Sequence, residues 1–174
     1  MTIKSIFLDR DGVINKEINY LYKIKDFEFI PGVFDACMYF NNLGYKIIII
    51  TNQSGIARGY FKESDFQALT QWMVNQFKKN NIDILDVFHC PHGQNSPCKC
   101  RKPKPGMLIE AKIRHNIIME DSWMIGDKEA DIKAAIDAGI SNTILVKSGH
   151  KINESSSRAM FFLDSIKEIK QIIN

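Results

Sequence analysis

The sequence predicts an α/β fold, a three-layer sandwich whose mainly parallel sheet is covered by helices on both faces. Two observations carry this. Short apolar runs alternate with longer amphipathic stretches from end to end of the chain, the pattern of a parallel sheet with crossover helices. The run Ile47-Ile48-Ile49-Ile50 is β-branched and unalternating, which suits a strand buried on both faces.

The elements follow in order. Ile3 to Leu8 reads as the first strand. Pro31-Gly32 opens a helix carrying Val33, Ala36, Cys37, Phe40 and Leu43 at helical spacing, and Gly44 ends it. Tyr45 to Ile50 is the second strand, followed by a polar loop over Asn52 to Gly59. A long helix then spans Glu63 to Lys79, with Phe66, Leu69, Met73 and Phe77 on one face. Asp86 to His89 is a third strand, leading through a cysteine-rich loop to a helix over Pro105 to His115. Ser122 to Ile125 is the fourth strand, and Lys128 to Ala138 a helix stopped by Gly139. Thr143 to Val146 is the fifth and Phe161 to Leu163 the sixth. A last helix is entered through Ser165, with Glu168 placed for a capping box. Cys37, Trp72 and Trp123 read as packing residues.

The chain has 174 residues, and nothing in its composition divides it, so one domain over residues 1–174 is expected. With 45% hydrophobic and 25% charged residues it is an ordinary globular chain, which excludes a disordered or collagen-like one. A net charge of +3 is too slight to argue for nucleic acid. No apolar run approaches the roughly 20 residues a membrane span needs, and Met1-Thr2-Ile3-Lys4 opens no secretory signal. A cytoplasmic protein follows, and a monomer, since no spare apolar face stands out.

In sheets of this kind the ligand site lies beyond the carboxyl ends of the strands. The first strand is followed by Asp9-Arg10-Asp11-Gly12, the second by Thr51-Asn52-Gln53-Ser54-Gly55, and the fourth by Gly126-Asp127-Lys128-Glu129-Ala130-Asp131. Taken singly, each is also what a turn after a strand prefers, and Asp127 could simply cap a helix. Together they gather carboxylates that repel one another unless a cation intervenes, and oxygen ligands of this kind suit Mg²⁺. With lysine, hydroxyl and amide donors added, the site becomes a cradle for a phosphoryl group. Asp9 could attack phosphorus, with Asp11 close enough to handle protons.

These residues, with Lys102 ahead of a helix, resemble the four motifs of haloacid dehalogenase-like phosphatases, in the family's order from about residue 6 to 131. The resemblance implies a Rossmann-like three-layer sandwich with a minimal cap. It makes Asp9 the nucleophile and a Mg²⁺ ligand, and Asp11 the acid and base, with its backbone carbonyl on Mg²⁺. Thr51 and the following amide would hold the phosphoryl oxygens, Lys102 would neutralise them, and Asp127 would be the remaining carboxylate on Mg²⁺. Asp131, one helical turn on, would support these ligands from behind.

Cys90-Pro91-His92, five residues, then Cys98-Lys99-Cys100 form a compact Cys₃His set fit for structural, tetrahedral Zn²⁺. Such a zinc-binding loop would hold Arg101 and Lys102 toward the site. Within the superfamily the chain resembles the D-glycero-D-manno-heptose 1,7-bisphosphate 7-phosphatases over nearly its whole length. The closest stretches are Phe7 to Gly12, Asp26 to Ile30, Thr51 to Gly59 and Cys100 to Met107. The five-residue spacer in the zinc loop is closer to the related histidinol-phosphate phosphatases. The resemblance implies a phosphatase acting through an aspartyl-phosphate on a small sugar phosphate. It would serve nucleotide-activated heptose synthesis, a precursor route to lipopolysaccharide or another surface polysaccharide.

Arg101 is the candidate for a second phosphate, since guanidinium binds phosphate bidentately. Arg58, Lys128, Asn52, Gln53 and Ser54 are further candidates for substrate contact, and Glu17, Asn19 and Tyr20 would approach the sugar by family analogy. His89, His115 and His150 are assigned no role: His89 reads as a strand end, and His115 and His150 as exposed surface. The competing reading is a zinc-loop binding module without catalysis, against which the intact Asp9, Asp11, Thr51, Lys102 and Asp127 set argues.

Overall fold

A computed structural model describes residues 2–174. The strands are β1 (Ser5–Leu8), β2 (Lys46–Asn52), β3 (Ile84–Cys90), β4 (Trp123–Gly126), β5 (Asn142–Val146) and β6 (Phe161–Leu163). The helices are α1 (Val33–Asn42), α2 (Glu63–Lys79), α3 (Gly106–His115) and α4 (Glu129–Asp137). All strand pairs are parallel, in the order β3-β2-β1-β4-β5-β6. The order steps outward from β1 in both directions, so the carboxyl ends of β1, β2 and β4 lie side by side at the crevice where ligands bind.

Alternation along the central strands divides the core in two. Ile6, Leu8, Ile47 and Ile49 face α1, α2 and the C-terminal segment, where Val33, Cys37, Phe40, Leu69, Met73, Phe77 and Ile166 are buried. Phe7, Ile48 and Ile50 face α3 and α4, packing on Met107, Leu108, Ala111, Ala134 and Ala135. The unalternating isoleucine run therefore serves both layers, as its sequence requires. Cys37 is fully buried, and Trp72 and Trp123 lie half-buried against the first of these cores.

Two local expectations change. The last helix is a 3₁₀ segment, Ile166–Gln171. Ser165 Oγ accepts from the Lys167 N–H at its start, but the Glu168 carboxylate takes the Asp164 N–H at 2.9 Å, one residue before the cap, so the capping box does not form. At α4 the cap is Lys128 rather than Asp127. The Asp131 carboxylate accepts the backbone N–H of Asp127 (3.2 Å) and of Lys128 (3.0 Å), which leaves the Asp127 side chain free for other work. No helix among the described residues is long and apolar enough to cross a membrane.

Candidate active site

Asp9 leaves the end of β1 with its N–H bonded to Ile125 O on β4, and its side chain is buried. Asp9 Oδ1 accepts from the Arg10 N–H at 2.8 Å and from Lys102 Nζ at 2.9 Å. The Lys102 ammonium also meets Asp131 Oδ1 at 2.6 Å and Ile50 O at 2.8 Å, so all three of its protons have acceptors. Asn52 holds the lysine's backbone from both sides, accepting its N–H and donating to its carbonyl, each at 3.1 Å. The β2 loop therefore fixes the cation that the β3–α3 loop supplies.

Asp11 is gripped by Arg10, a buried residue, whose Nη2 lies 3.0 Å from both carboxylate oxygens and whose Nε lies 3.3 Å from one. Asn15 Nδ2 (2.9 Å) and Gln53 Nε2 (3.2 Å) donate to the same carboxylate. Gln53 Nε2 also donates to Thr51 Oγ1 at 2.8 Å, joining the β1 and β2 ends.

Burial pushes the Asp9 carboxyl well above the usual carboxylate range; Lys102 works against this, while Asp131, Asp127 and Asp11 add to it. Asp127 is raised too, first by burial and then by Asp131, with His150 opposing. Burial alone would lower Lys102, but Asp131 and Asp9 overcome it and hold the ammonium charged. One buried ammonium thus stands among several carboxylates, an arrangement short of positive charge.

The donor set fits a divalent cation. Ligand atoms of Asp9, Asp127 and Asp131 lie within 4.8 Å of one another. Both Asp131 oxygens are already bonded, one to Lys102 and the other to backbone N–H groups. Asp127 Oδ1, by contrast, is buried with no hydrogen-bond partner. A buried carboxylate oxygen without a hydrogen-bond partner is stable only beside a cation or a proton.

The second metal candidate is equally compact. Cys90 ends β3, and its Sγ lies 3.0 Å from Cys100 Sγ, 3.8 Å from Cys98 Sγ and 3.4 Å from His92 Nδ1. Burial pushes the Cys90 thiol up to about 12. It opposes the Cys98 thiolate too, but hydrogen bonds from the Arg101 backbone and from Ser96, Cys100 and Cys90 bring that group down to about 6. Three soft sulfurs and one imidazole at this spacing match a tetrahedral zinc set.

A cavity of about 270 Å³ opens over these strand ends. It is lined by Asp9, Asp11, Lys102 and Asp131 and by Glu17, Asn19, Tyr20, Asn52, Gln53, Ser54, Arg101 and Lys128, with Asp127 outside the lining. Thr51 lies beneath, its hydroxyl held by Gln53. Arg58 stands apart, exposed, with its guanidinium 5.8 Å over the Tyr20 ring. Arg101 donates through Nη1 to His92 O at 3.2 Å, which couples the cavity wall to the cysteine loop.

Three residues escaped the sequence reading. Arg10, between the two aspartates, is an internal clamp on Asp11 rather than a spacer. His150, expected on the surface, lines the cavity with its Nδ1 2.5 Å from Asp127 Oδ2. Gly149 lets that contact form, since a Cβ there would fall 2.1 Å from Asp127 Oδ2. The signal was available: Ser148-Gly149-His150 follows β5 just as the recognised motifs follow β1, β2 and β4. His115 is half-buried against Asp86 at 2.8 Å rather than exposed, and His89 lies within β3, stacked on Phe66.

A HAD-hydrolase-like family model matches residues 99–169. The D-glycero-alpha-D-manno-heptose-1,7-bisphosphate 7-phosphatase of Photorhabdus laumondii is 48% identical, over 91% of this chain and 90% of its own. The D-glycero-beta-D-manno-heptose-1,7-bisphosphate 7-phosphatase of Vibrio cholerae is 45% identical, over 97% and 95%. Among solved structures, D,D-heptose 1,7-bisphosphate phosphatase from B. bronchiseptica, complexed with magnesium and phosphate, aligns with a TM-score of 0.84 at 28% identity, covering 97% of both chains. With that degree of likeness along almost the whole chain, and with the acidic cluster at the ends of β1 and β4, the chain belongs to the heptose-1,7-bisphosphate 7-phosphatase family of haloacid dehalogenase-like hydrolases.

Proposed function

We propose that the protein is a Mg²⁺-dependent phosphoric monoester hydrolase that removes the 7-phosphate of D-glycero-D-manno-heptose 1,7-bisphosphate. The observation that carries this is the Asp9, Asp11, Asp127 and Lys102 constellation at the ends of β1 and β4, in a chain 48% identical to a phosphatase named for that substrate. Bound Mg²⁺ supplies positive charge to the phosphoryl oxygens and to the carboxylates that hold it.

Asp9 attacks phosphorus, forming an acyl-phosphate (mixed anhydride) bond from its carboxylate oxygen while the bond from phosphorus to the sugar oxygen breaks. Asp11 gives its proton to the departing alkoxide. It then takes a proton from the water that cleaves the aspartyl-phosphate, releasing inorganic phosphate and restoring Asp9. The Arg10 clamp keeps Asp11 in reach for both transfers. Thr51 and the Asn52 amide cradle phosphoryl oxygens beside Lys102. The Cys90, His92, Cys98 and Cys100 set binds structural Zn²⁺, and through the Arg101–His92 contact it steadies a cation for the second phosphate. Glu17, Asn19, Tyr20 and Lys128 contact the sugar and its outer phosphate.

Phosphate release with Mg²⁺ from both anomers of heptose 1,7-bisphosphate and from histidinol phosphate tests the reading. Faster turnover of a heptose bisphosphate is expected, and the panel also reads the preferred anomer. Preference for histidinol phosphate would overturn the substrate and leave the hydrolase chemistry standing.

A further inference from the structure

The Asp127 carboxylate has two unlike oxygens. Oδ2 accepts twice from one residue, from the His150 backbone N–H at 3.1 Å and from His150 Nδ1 at 2.5 Å. Oδ1, buried, accepts from none. Where the Asp127 carboxylate is ionised it only accepts, and Nδ1 is the donor in this contact.

The loop that brings His150 here is built for close approach. Ser148 Oγ donates to Gly12 O at 2.7 Å, tying the end of β5 to the β1 loop. A Cβ on Gly12, at φ +85°, would fall 2.4 Å from Asp127 Oδ2, and one on Gly149 would fall 2.1 Å from it. Two glycines therefore flank the carboxylate where any side chain would displace it. His150 closes the remaining side, only partly exposed at 38% of its side-chain surface.

We propose that His150 is a positioning residue that aims Asp127 at the divalent cation: by occupying Oδ2 it fixes the carboxylate plane and leaves Oδ1 as the ligand. This rests on the Mg²⁺-dependent reading above. Loss of an outer hydrogen bond to a metal ligand typically costs about 10–100-fold in metal affinity or activity.

Mg²⁺ titration calorimetry of the full chain tests it, alongside the Mg²⁺ dependence of turnover. In His150→Ala the dissociation constant for Mg²⁺ and the half-maximal Mg²⁺ concentration both rise about tenfold or more. Turnover recovers at saturating Mg²⁺. His150→Asn restores most of the affinity, because its Nδ2 occupies the place of the imidazole Nδ1. His150→Gln, whose amide lies one bond farther out, does not. Thermal melts without metal check that each variant is folded, as a half-exposed position allows. An unchanged Mg²⁺ constant in the alanine variant overturns the proposal, and so does a raised substrate KM at an unchanged Mg²⁺ constant. No Mg²⁺ binding by the parent protein is a separate result, and it overturns the proposed function itself.

Discussion

Replacing Lys102 by methionine removes the only cation bonded to both Asp9 and Asp131 among the described residues, while nearly keeping the side-chain volume. Packing therefore changes little, and the loss is electrostatic. Stripping one partner from a buried ion pair destabilises by about 3–5 kcal/mol, because a buried charge is left uncompensated. A chain of this size loses about 2–4 °C of melting temperature per kcal/mol. In Mg²⁺-free buffer at pH 8 the variant should thus melt about 6–20 °C below the parent. The deficit has a definite pH dependence. Burial already raises the Asp9 carboxyl above its ordinary value of 3.8, and losing Lys102 raises it further. An acid raised in the folded state contributes stability that is complete below the ordinary value and lost as pH climbs through the folded one. Lowering the pH toward 5 lets a proton stand in for the ammonium, so the gap between variant and parent narrows. Thermal melts at pH 8 read the deficit in melting temperature, and urea denaturation at pH 8 and pH 5 reads the free-energy gap and its change with pH. A gap below about 1 kcal/mol at pH 8, or one that widens on acidification, would refute the charge argument.

Three further outcomes are expected. Asp9→Asn, which keeps the shape and removes the nucleophile, lowers phosphate release by about 10⁴-fold or more without lowering the melting temperature, and full activity in it sinks the covalent route. Because burial raises both Asp9 and Asp127, protons compete with the cation there: Mg²⁺ binds more weakly at pH 6 than at pH 8 and releases protons on binding, which calorimetry in buffers of different ionisation enthalpy detects. Chelation of zinc raises KM and exposes residues 91–101 to protease while the calorimetric Mg²⁺ constant stays the same; a normal KM and an intact loop after chelation contradict the structural role.

The sheet and the acidic cluster were legible because each rests on a local rule. The isoleucine run of β2 has one buried solution, and a polar cluster after an apolar run has one location in a parallel sheet. The helix expected around Glu63 to Lys79 is present as α2, since its apolar spacing and its charged ends agree. What escaped depends on burial, or on partners remote in sequence. Arg10 looks like any charged residue in a turn until its guanidinium is found buried against Asp11. His150 is 23 residues from Asp127, and only the side-by-side placement of β4 and β5 makes them neighbours. Arg58 lies outside the cavity lining, with its guanidinium over the ring of Tyr20, a lining residue. The 3₁₀ segment after Ser165 carried a capping pattern whose glutamate bonded one residue too early.

The placement of β1 between β2 and β4 has a consequence for how the protein is made. β1 is synthesised early, yet one of its two neighbours comes late: the Ser5 N–H bonds to Ser122 Oγ, 117 positions along the chain. A nascent chain that has completed α3 still lacks β4, so one edge of β1 lies open and its aspartates have no Asp127 beside them. Bringing β4 to β1 closes this long loop, and the same pairing places Asp127 beside the β1 aspartates. Fragments released before residue 127 cannot hold a weakened version of the site, because none of them contains it. Shortened chains that end before β4 therefore contribute no phosphatase activity of their own.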